Sequence, residues 1–155
     1  MNETKDHADV KIHPPILVVI HIVLAYVLGR LIPIPFAVSP LVENIGFAFV
    51  VVGFLLGVGA LIEFRRAHTT LDPHGNVSEI VTGGIYRFSR NPIYLGFALM
   101  ILGIPLNSGI YWGVVLAPVF ILFCTQLVIR YEEAYLEKKF GEVYTGYKAR
   151  VRRWL

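Results

Sequence analysis

Residues 91–130 read NPIYLGFALMILGIPLNSGIYWGVVLAPVFILFCTQLVIR, and no Asp, Glu, Lys or Arg occurs between Arg90 and Arg130. Asn91-Pro92 has the form of a helix start, a capping residue followed by proline at the first helical position. An apolar helix then runs over residues 92–106. Pro105, Asn107, Ser108 and Gly109 form an uncharged turn, and residues 110–129 make a second apolar helix containing Pro118. Together they read as a helical hairpin inside a bilayer. The first arm covers only roughly 20 Å at 1.5 Å per residue. It therefore tilts, extends past Pro105, or sits where the bilayer thins beside its partner.

Upstream the pattern repeats. Residues 1–13 form a polar tail, Pro14-Pro15 opens an apolar run over residues 16–32, and Pro33, Pro35 and Pro40 interrupt it. Glu43 and Asn44 mark the turn, and residues 45–62 give another apolar helix of roughly 27 Å. The first run reads as a retained helix, because Glu3, Asp6 and Asp9 accompany Lys5 and Lys11 ahead of it, unlike the basic leader of a secretory signal. Residues 63–91 turn polar, with Arg65, Arg66, His68, Asp72-Pro73-His74-Gly75, Gly83-Gly84, Arg87 and Arg90, and read as a long loop.

Downstream, charge returns at Arg130. Leu136, Phe140, Tyr144, Tyr147, Val151 and Trp154 recur at helical spacing among seven basic residues from Arg130 to Arg153. Residues 130–155 are thus expected as an amphipathic helix at the membrane interface, interrupted at Gly141 and Gly146. The fold class is all-α, an integral membrane bundle of about four transmembrane helices. A 155-residue chain with 55% hydrophobic and 16% charged residues and a mean hydropathy of +0.63 fits lipid rather than a soluble globule.

Thirteen of the 14 Lys and Arg residues lie on one side of a four-span arrangement. That side is the cytoplasm, with both termini and the long loop, most simply at a bacterial inner membrane. The net charge of +3 belongs to this flanking pattern, not to a nucleic-acid footprint. Cys124, the single cysteine, excludes an internal disulfide and a thiolate cluster and reads as packing. His68 and His74 lack ligand spacing, so no metal site is expected. His21 reads as a helix-to-helix hydrogen bond, with a functional polar group in the bundle as the alternative. Gln126 reads as a packing hydrogen bond.

The topology brings Arg65-Arg66, residues 87–94 and residues 130–133 to one depth at the cytoplasmic side. Adjacent carboxylates at Glu132 and Glu133, at the mouth of an apolar bundle, either pair with Arg130 or Arg90 or serve a ligand. Without further information the first reading is the commoner one.

The stretch Val81-Thr82-Gly83-Gly84-Ile85-Tyr86-Arg87-Phe88-Ser89-Arg90-Asn91-Pro92-Ile93-Tyr94-Leu95-Gly96 resembles a signature of the isoprenylcysteine carboxyl methyltransferase and phospholipid methyltransferase group. Tyr131-Glu132-Glu133, followed by Leu136, Phe140-Gly141, Tyr144, Tyr147 and Val151, is similar to that group's C-terminal signature. The two blocks stand in order across an apolar hairpin. The resemblance extends from Asp72 to the C-terminus and reaches the first two spans by hydropathy alone. One position departs: the prenylcysteine branch usually carries histidine before the proline, where this chain has Asn91, similar to the phospholipid N-methyltransferase branch and to many bacterial relatives of unassigned substrate.

The resemblance implies methyl transfer from S-adenosylmethionine to a lipophilic or membrane-soluble acceptor, in a site built from helix ends. It implies that Glu132 and Glu133 hold the amino or ribose end of the cofactor. Arg90, Asn91, Pro92 and the start of the third helix would take its carboxylate or the acceptor's charged head, and Tyr94 and Tyr86 would line the reacting centre. Arg90, Tyr94 and Tyr86 are then the catalytic candidates. Gly57-Val58-Gly59 matches the group's Gly-x-Gly near the cofactor, although Gly53 and Gly57 also have the GxxxG spacing of close helix packing. The acceptor atom stays open among amine, carboxylate and thiol. A reading of another class is a non-catalytic membrane subunit or a small transporter.

Overall fold

The computed structural model describes residues 10, 12–69 and 78–155. The polar tail up to residue 9, Lys11 and the Asp72-Pro73-His74-Gly75 segment lie outside the described residues. Six α-helices follow in order: α1 (Pro14–Leu31), α2 (Pro40–Arg66), α3 (Pro92–Asn107), α4 (Trp112–Cys124), α5 (Arg130–Phe140) and α6 (Glu142–Arg150). A 3-10 turn, Gly84–Arg87, precedes α3, and a π turn, Thr125–Ile129, joins α4 to α5.

By length and composition α1, α2 and the continuous helix Trp112–Phe140 are able to cross a membrane, whereas α3 is a shorter apolar helix. This is an integral membrane protein with three helices long and apolar enough to span, packed with one shorter apolar helix. α3 continues through Pro105 to Asn107, 16 residues in all. Pro105 removes one backbone donor but does not end the helix.

α2 starts earlier than residue 45. Ser39 caps it by accepting from the Val42 amide at 3.4 Å, Pro40 is at its first turn, and Glu43 lies there too, where a negative charge suits the helix dipole. The 27 residues span about 40 Å, more than the hydrocarbon core, so Glu63, Arg65 and Arg66 extend past the apolar run.

Glycines set the approach of the central helices. A Cβ added at Gly53 would lie 2.6 Å from the Gly96 carbonyl, and one at Gly103 would lie 2.6 Å from the Gly46 carbonyl. The pairs Gly46/Gly103 and Gly53/Gly96 thus draw α2 and α3 together along antiparallel seven-residue steps, and Gly113 lets α4 come so near that an added Cβ would lie 2.6 Å from the Ile101 carbonyl. Gly57 has no part in this packing: a Cβ there meets nothing within 4 Å.

α3 is enclosed by the other three helices, and its Ala98 and Ile101 join Ala25, Phe120, Cys124, Val128 and Ile129 in the core. His21 is buried, but its Nδ1 pairs with the Leu17 carbonyl of its own helix at 2.7 Å, and its ring stands edge-on to Phe120 at 5.7 Å. The expected helix-to-helix bond gives way to this local one.

At the face away from the carboxylates, Trp112 donates to the Ile32 carbonyl at 2.8 Å and Tyr111 to the Ala37 carbonyl at 2.8 Å. At the other face the C-terminal segment folds back. Gly141, at φ 51°, separates α5 from α6, but Gly146 lies inside α6, where helical φ/ψ is available to any residue. Tyr144 and Tyr147 are buried, so part of the segment's apolar side faces the protein itself.

Candidate active site

The corner before α3 is built from Ser89, Arg90 and Asn91. Asn91 holds the N-cap position, but its side chain makes no cap bond. Its amide instead donates to the Arg153 carbonyl at 2.9 Å, while the Asn91 backbone amide donates to Ser89 Oγ at 3.1 Å. A capping role read from Asn-Pro spacing gives way to a long-range bond, because the C-terminal strand of chain offers unpaired carbonyls at that point.

Arg90 is enclosed. Nη1 donates to the carbonyls of Lys148 at 2.9 Å and Val151 at 3.2 Å, and Nη2 to Glu133 Oε1 at 2.8 Å. Its Nε is buried and has no hydrogen-bond partner among the described residues. Glu133 also receives Arg153, from Nε at 3.1 Å and from Nη2 at 2.6 Å. Two guanidinium groups thus neutralise one buried carboxylate, and the bonds to Glu133 push the Arg153 pKa up against the opposing effect of its partial burial. Removing one partner of such a buried pair would leave an uncompensated charge, which is strongly destabilising.

Glu132 is separate from that cluster. It is half-buried, and the Tyr94 hydroxyl donates to its Oε1 at 2.6 Å. The acidic pair therefore divides: one carboxylate meets two arginines and the other a phenol. Neighbouring residues on a regular helix diverge by about 100°, which is why they face different partners.

Tyr86 sits in the 3-10 turn, buried, edge-on to Phe64 at 5.7 Å, and its carbonyl accepts from the Tyr147 hydroxyl at 2.7 Å. Burial, then the charges of Tyr147 and Glu132, push the Tyr86 phenol well above its ordinary range. Burial likewise raises Tyr144, and it raises Tyr147 to about 12 against the opposing Arg90 charge. These phenols are proton donors at physiological pH and not bases.

The structure forms two adjoining bonded groups, Arg90 with Glu133 and the C-terminal segment that Asn91 also meets, and Tyr94 with Glu132, while Pro92 is fully buried. Gly59 faces the turn that carries Tyr86, with Ile85 Cδ1 3.3 Å from an added Cβ, whereas no contact ties Gly57 to the carboxylates. Two contributors escape sequence reasoning. The π turn inserts extra backbone between Cys124 and Arg130, which rotates everything beyond it by roughly 100° and sets the phase at which the carboxylates meet α3. Glu63 is the other: its carboxyl carbon would lie 2.6 Å from a Cβ at Gly84, whose φ is 53°. The Gly83-Gly84 doublet is the signal, since only glycine admits both that φ and that approach.

A sequence model of phospholipid methyltransferases matches residues 42–143. The chain belongs to the phospholipid methyltransferase family. The matched stretch runs from the first turn of α2 to the start of α6 and contains Gly57, Gly59, Tyr86, Arg90, Tyr94 and the acidic pair.

Among named relatives of this family member, protein-S-isoprenylcysteine O-methyltransferase B of Arabidopsis thaliana is 32% identical over 120 residues, 71% of this chain and 57% of that protein. The A form from the same plant is 33% identical over 121 residues, with the same coverage. An uncharacterized protein of Haemophilus influenzae is 46% identical over 66 residues, 41% of this chain and 100% of that one. The chain spans about half the length of the plant enzymes. No solved structure matches it. Family membership and helices long and apolar enough to cross a membrane together place it among membrane methyltransferases.

Proposed function

We propose that the chain is an S-adenosylmethionine-dependent methyltransferase acting on a membrane-soluble acceptor, with its site and both termini at the cytoplasmic face of a bacterial inner membrane. The observation that carries this reading is the 2.6 Å bond between Tyr94 and Glu132. It joins the first turn of α3 to the acidic pair after α4, beside the Arg90–Glu133 ion pair.

The residues present fit the cofactor. Glu132 is a carboxylate within reach of water, suited to an ammonium or ribose hydroxyls. The first turn of α3 has free amides, and Arg90 Nε is a buried donor with no partner among the described residues, both suited to a carboxylate. When bound, S-adenosylmethionine supplies an activated methyl on a sulfonium. Glu132 binds, Tyr94 fixes the orientation of Glu132, and the neutral phenol of Tyr86 lines the site as a donor. The enclosing apolar helices exclude water, so catalysis rests on alignment and desolvation and uses no covalent enzyme intermediate. Arg90 acts from inside the cluster, where Glu133 and two backbone carbonyls hold it.

A lipid tail lying between helices would bring the acceptor's head to this rim. The plant relatives' names favour a prenylcysteine-like carboxylate. The family description and Asn91 favour a phospholipid amine as the second reading. Calorimetry of the detergent-solubilised protein with S-adenosylhomocysteine tests the core of the proposal: binding that Glu132→Ala abolishes supports it. Absence of binding in a folded sample sinks it and favours a non-catalytic subunit. Methyl-labelled S-adenosylmethionine incubated with extracted lipids then separates amine from carboxylate, since methyl esters are cleaved by base and methylamines are not. C-terminal fluorescent-protein and alkaline phosphatase fusions report orientation, and phosphatase activity would refute a cytoplasmic terminus.

A further inference from the structure

We infer that residues 151–154 form a strap that positions the active site, with Arg153 acting through Glu133 to hold Arg90. The inference rests on the methyltransferase reading for its catalytic consequence. The strap lies beyond residue 143, where the family match ends.

α6 stops at Arg150, and Val151 is extended at φ −121° and ψ 133°, so the carbonyls around the helix end have no helical donors. The corner before α3 supplies them. Arg90 Nη1 donates to Val151, the Arg90 backbone amide donates to Arg152 at 3.0 Å, and Asn91 Nδ2 donates to Arg153. Ser89 Oγ adds a bond to the Arg153 carbonyl at 3.4 Å. Three successive carbonyls thus grip three successive residues. Trp154 packs against the hydrophobic core of the bundle, which anchors the strap.

The Arg153 side chain closes the loop by its two-point contact with Glu133. Arg90 Nη2 shares Oε1 of the same carboxylate with Arg153 Nε. With both Glu133 oxygens engaged by guanidinium groups, Glu133 is a positioning residue, and Glu132 is the carboxylate presented to a ligand. Removing Arg153 leaves Glu133 with one cation and loosens Arg90, whose Nε then loses its fixed direction.

The test uses the full chain in detergent with Arg153→Ala and Arg153→Lys. Three quantities are read: affinity for S-adenosylhomocysteine, KM for S-adenosylmethionine against kcat, and amide hydrogen exchange at Arg90. Arg153→Ala is expected to raise Kd and KM roughly tenfold with a smaller change in kcat and to speed exchange at Arg90. Arg153→Lys, keeping the cation but losing the fork, is expected to recover most of the affinity. Wild-type affinity in Arg153→Ala, or equal losses in both variants, overturns the inference while leaving the methyltransferase reading intact. If the wild-type protein itself binds no S-adenosylhomocysteine, the methyltransferase reading fails, and exchange at Arg90 decides the clamp: an unchanged rate in Arg153→Ala refutes it.

Discussion

Arg90 and Glu133 meet at 2.8 Å with both side chains only 8% exposed, although 43 positions separate them in the chain. That pair makes the start of α3 and the start of α5 a single unit. Its loss has a stability cost apart from any chemistry.

Glu133→Ala leaves the Arg90 guanidinium buried without its carboxylate. We expect a loss of about 3 kcal/mol, seen as a clear fall in the thermal unfolding midpoint in detergent. Glu133→Ala that melts with the wild type would show that the pair does not carry stability.

Tyr94→Phe should separate binding from folding. Removing one hydroxyl costs about 1 kcal/mol of stability. Glu132 loses its orienting donor, and affinity for S-adenosylhomocysteine is expected to fall roughly tenfold. Calorimetry and a thermal melt on the same sample read the two effects, and an unaltered affinity would remove Tyr94 from the site.

Gly96→Leu should disrupt the bundle, since a Cβ at that position already lies 2.6 Å from the Gly53 carbonyl and neither backbone yields cheaply. Gly57→Ala should fold normally, because its Cβ meets nothing within 4 Å. If Gly57→Ala nevertheless weakens S-adenosylhomocysteine binding, Gly57 lines the cofactor site as the family resemblance implies. Unchanged binding would count against that role.

Deleting Gln126 should convert the π turn to regular α-helix with one residue fewer, and the two changes cancel, so the carboxylates keep their phase toward α3 and binding persists. Inserting one alanine between Arg130 and Tyr131, in regular helix, should instead swing the carboxylates by roughly 100°. Binding is then expected to vanish while helical circular dichroism persists. An insertion variant that binds normally would mean that the carboxylates do not need this phase.

The apolar runs, their proline and glycine boundaries and the basic flanks are local features, and they made the membrane bundle legible from composition and period alone. The hairpin of residues 92–129 and the nearness of the Asn91-Pro92 corner to the acidic pair followed from chain direction: helices that cross and return bring their ends to one face. Ser39 capping extended α2 beyond its apolar run, and the glycine doublet at 83–84 left a trace of Glu63 only in the side chains it lacks.

What tertiary structure alone decided was phase and long-range pairing. Nothing periodic in Thr125–Ile129 announces a π turn, yet it determines which of two neighbouring carboxylates meets arginine and which meets tyrosine. Nor does a short extended strap after α6 reveal that its carbonyls hold Arg90 and Asn91. Hydrophobic periodicity records which side of a helix avoids water. It carries no record of how far that helix is rotated about its axis, or of which distant donors satisfy an irregular backbone.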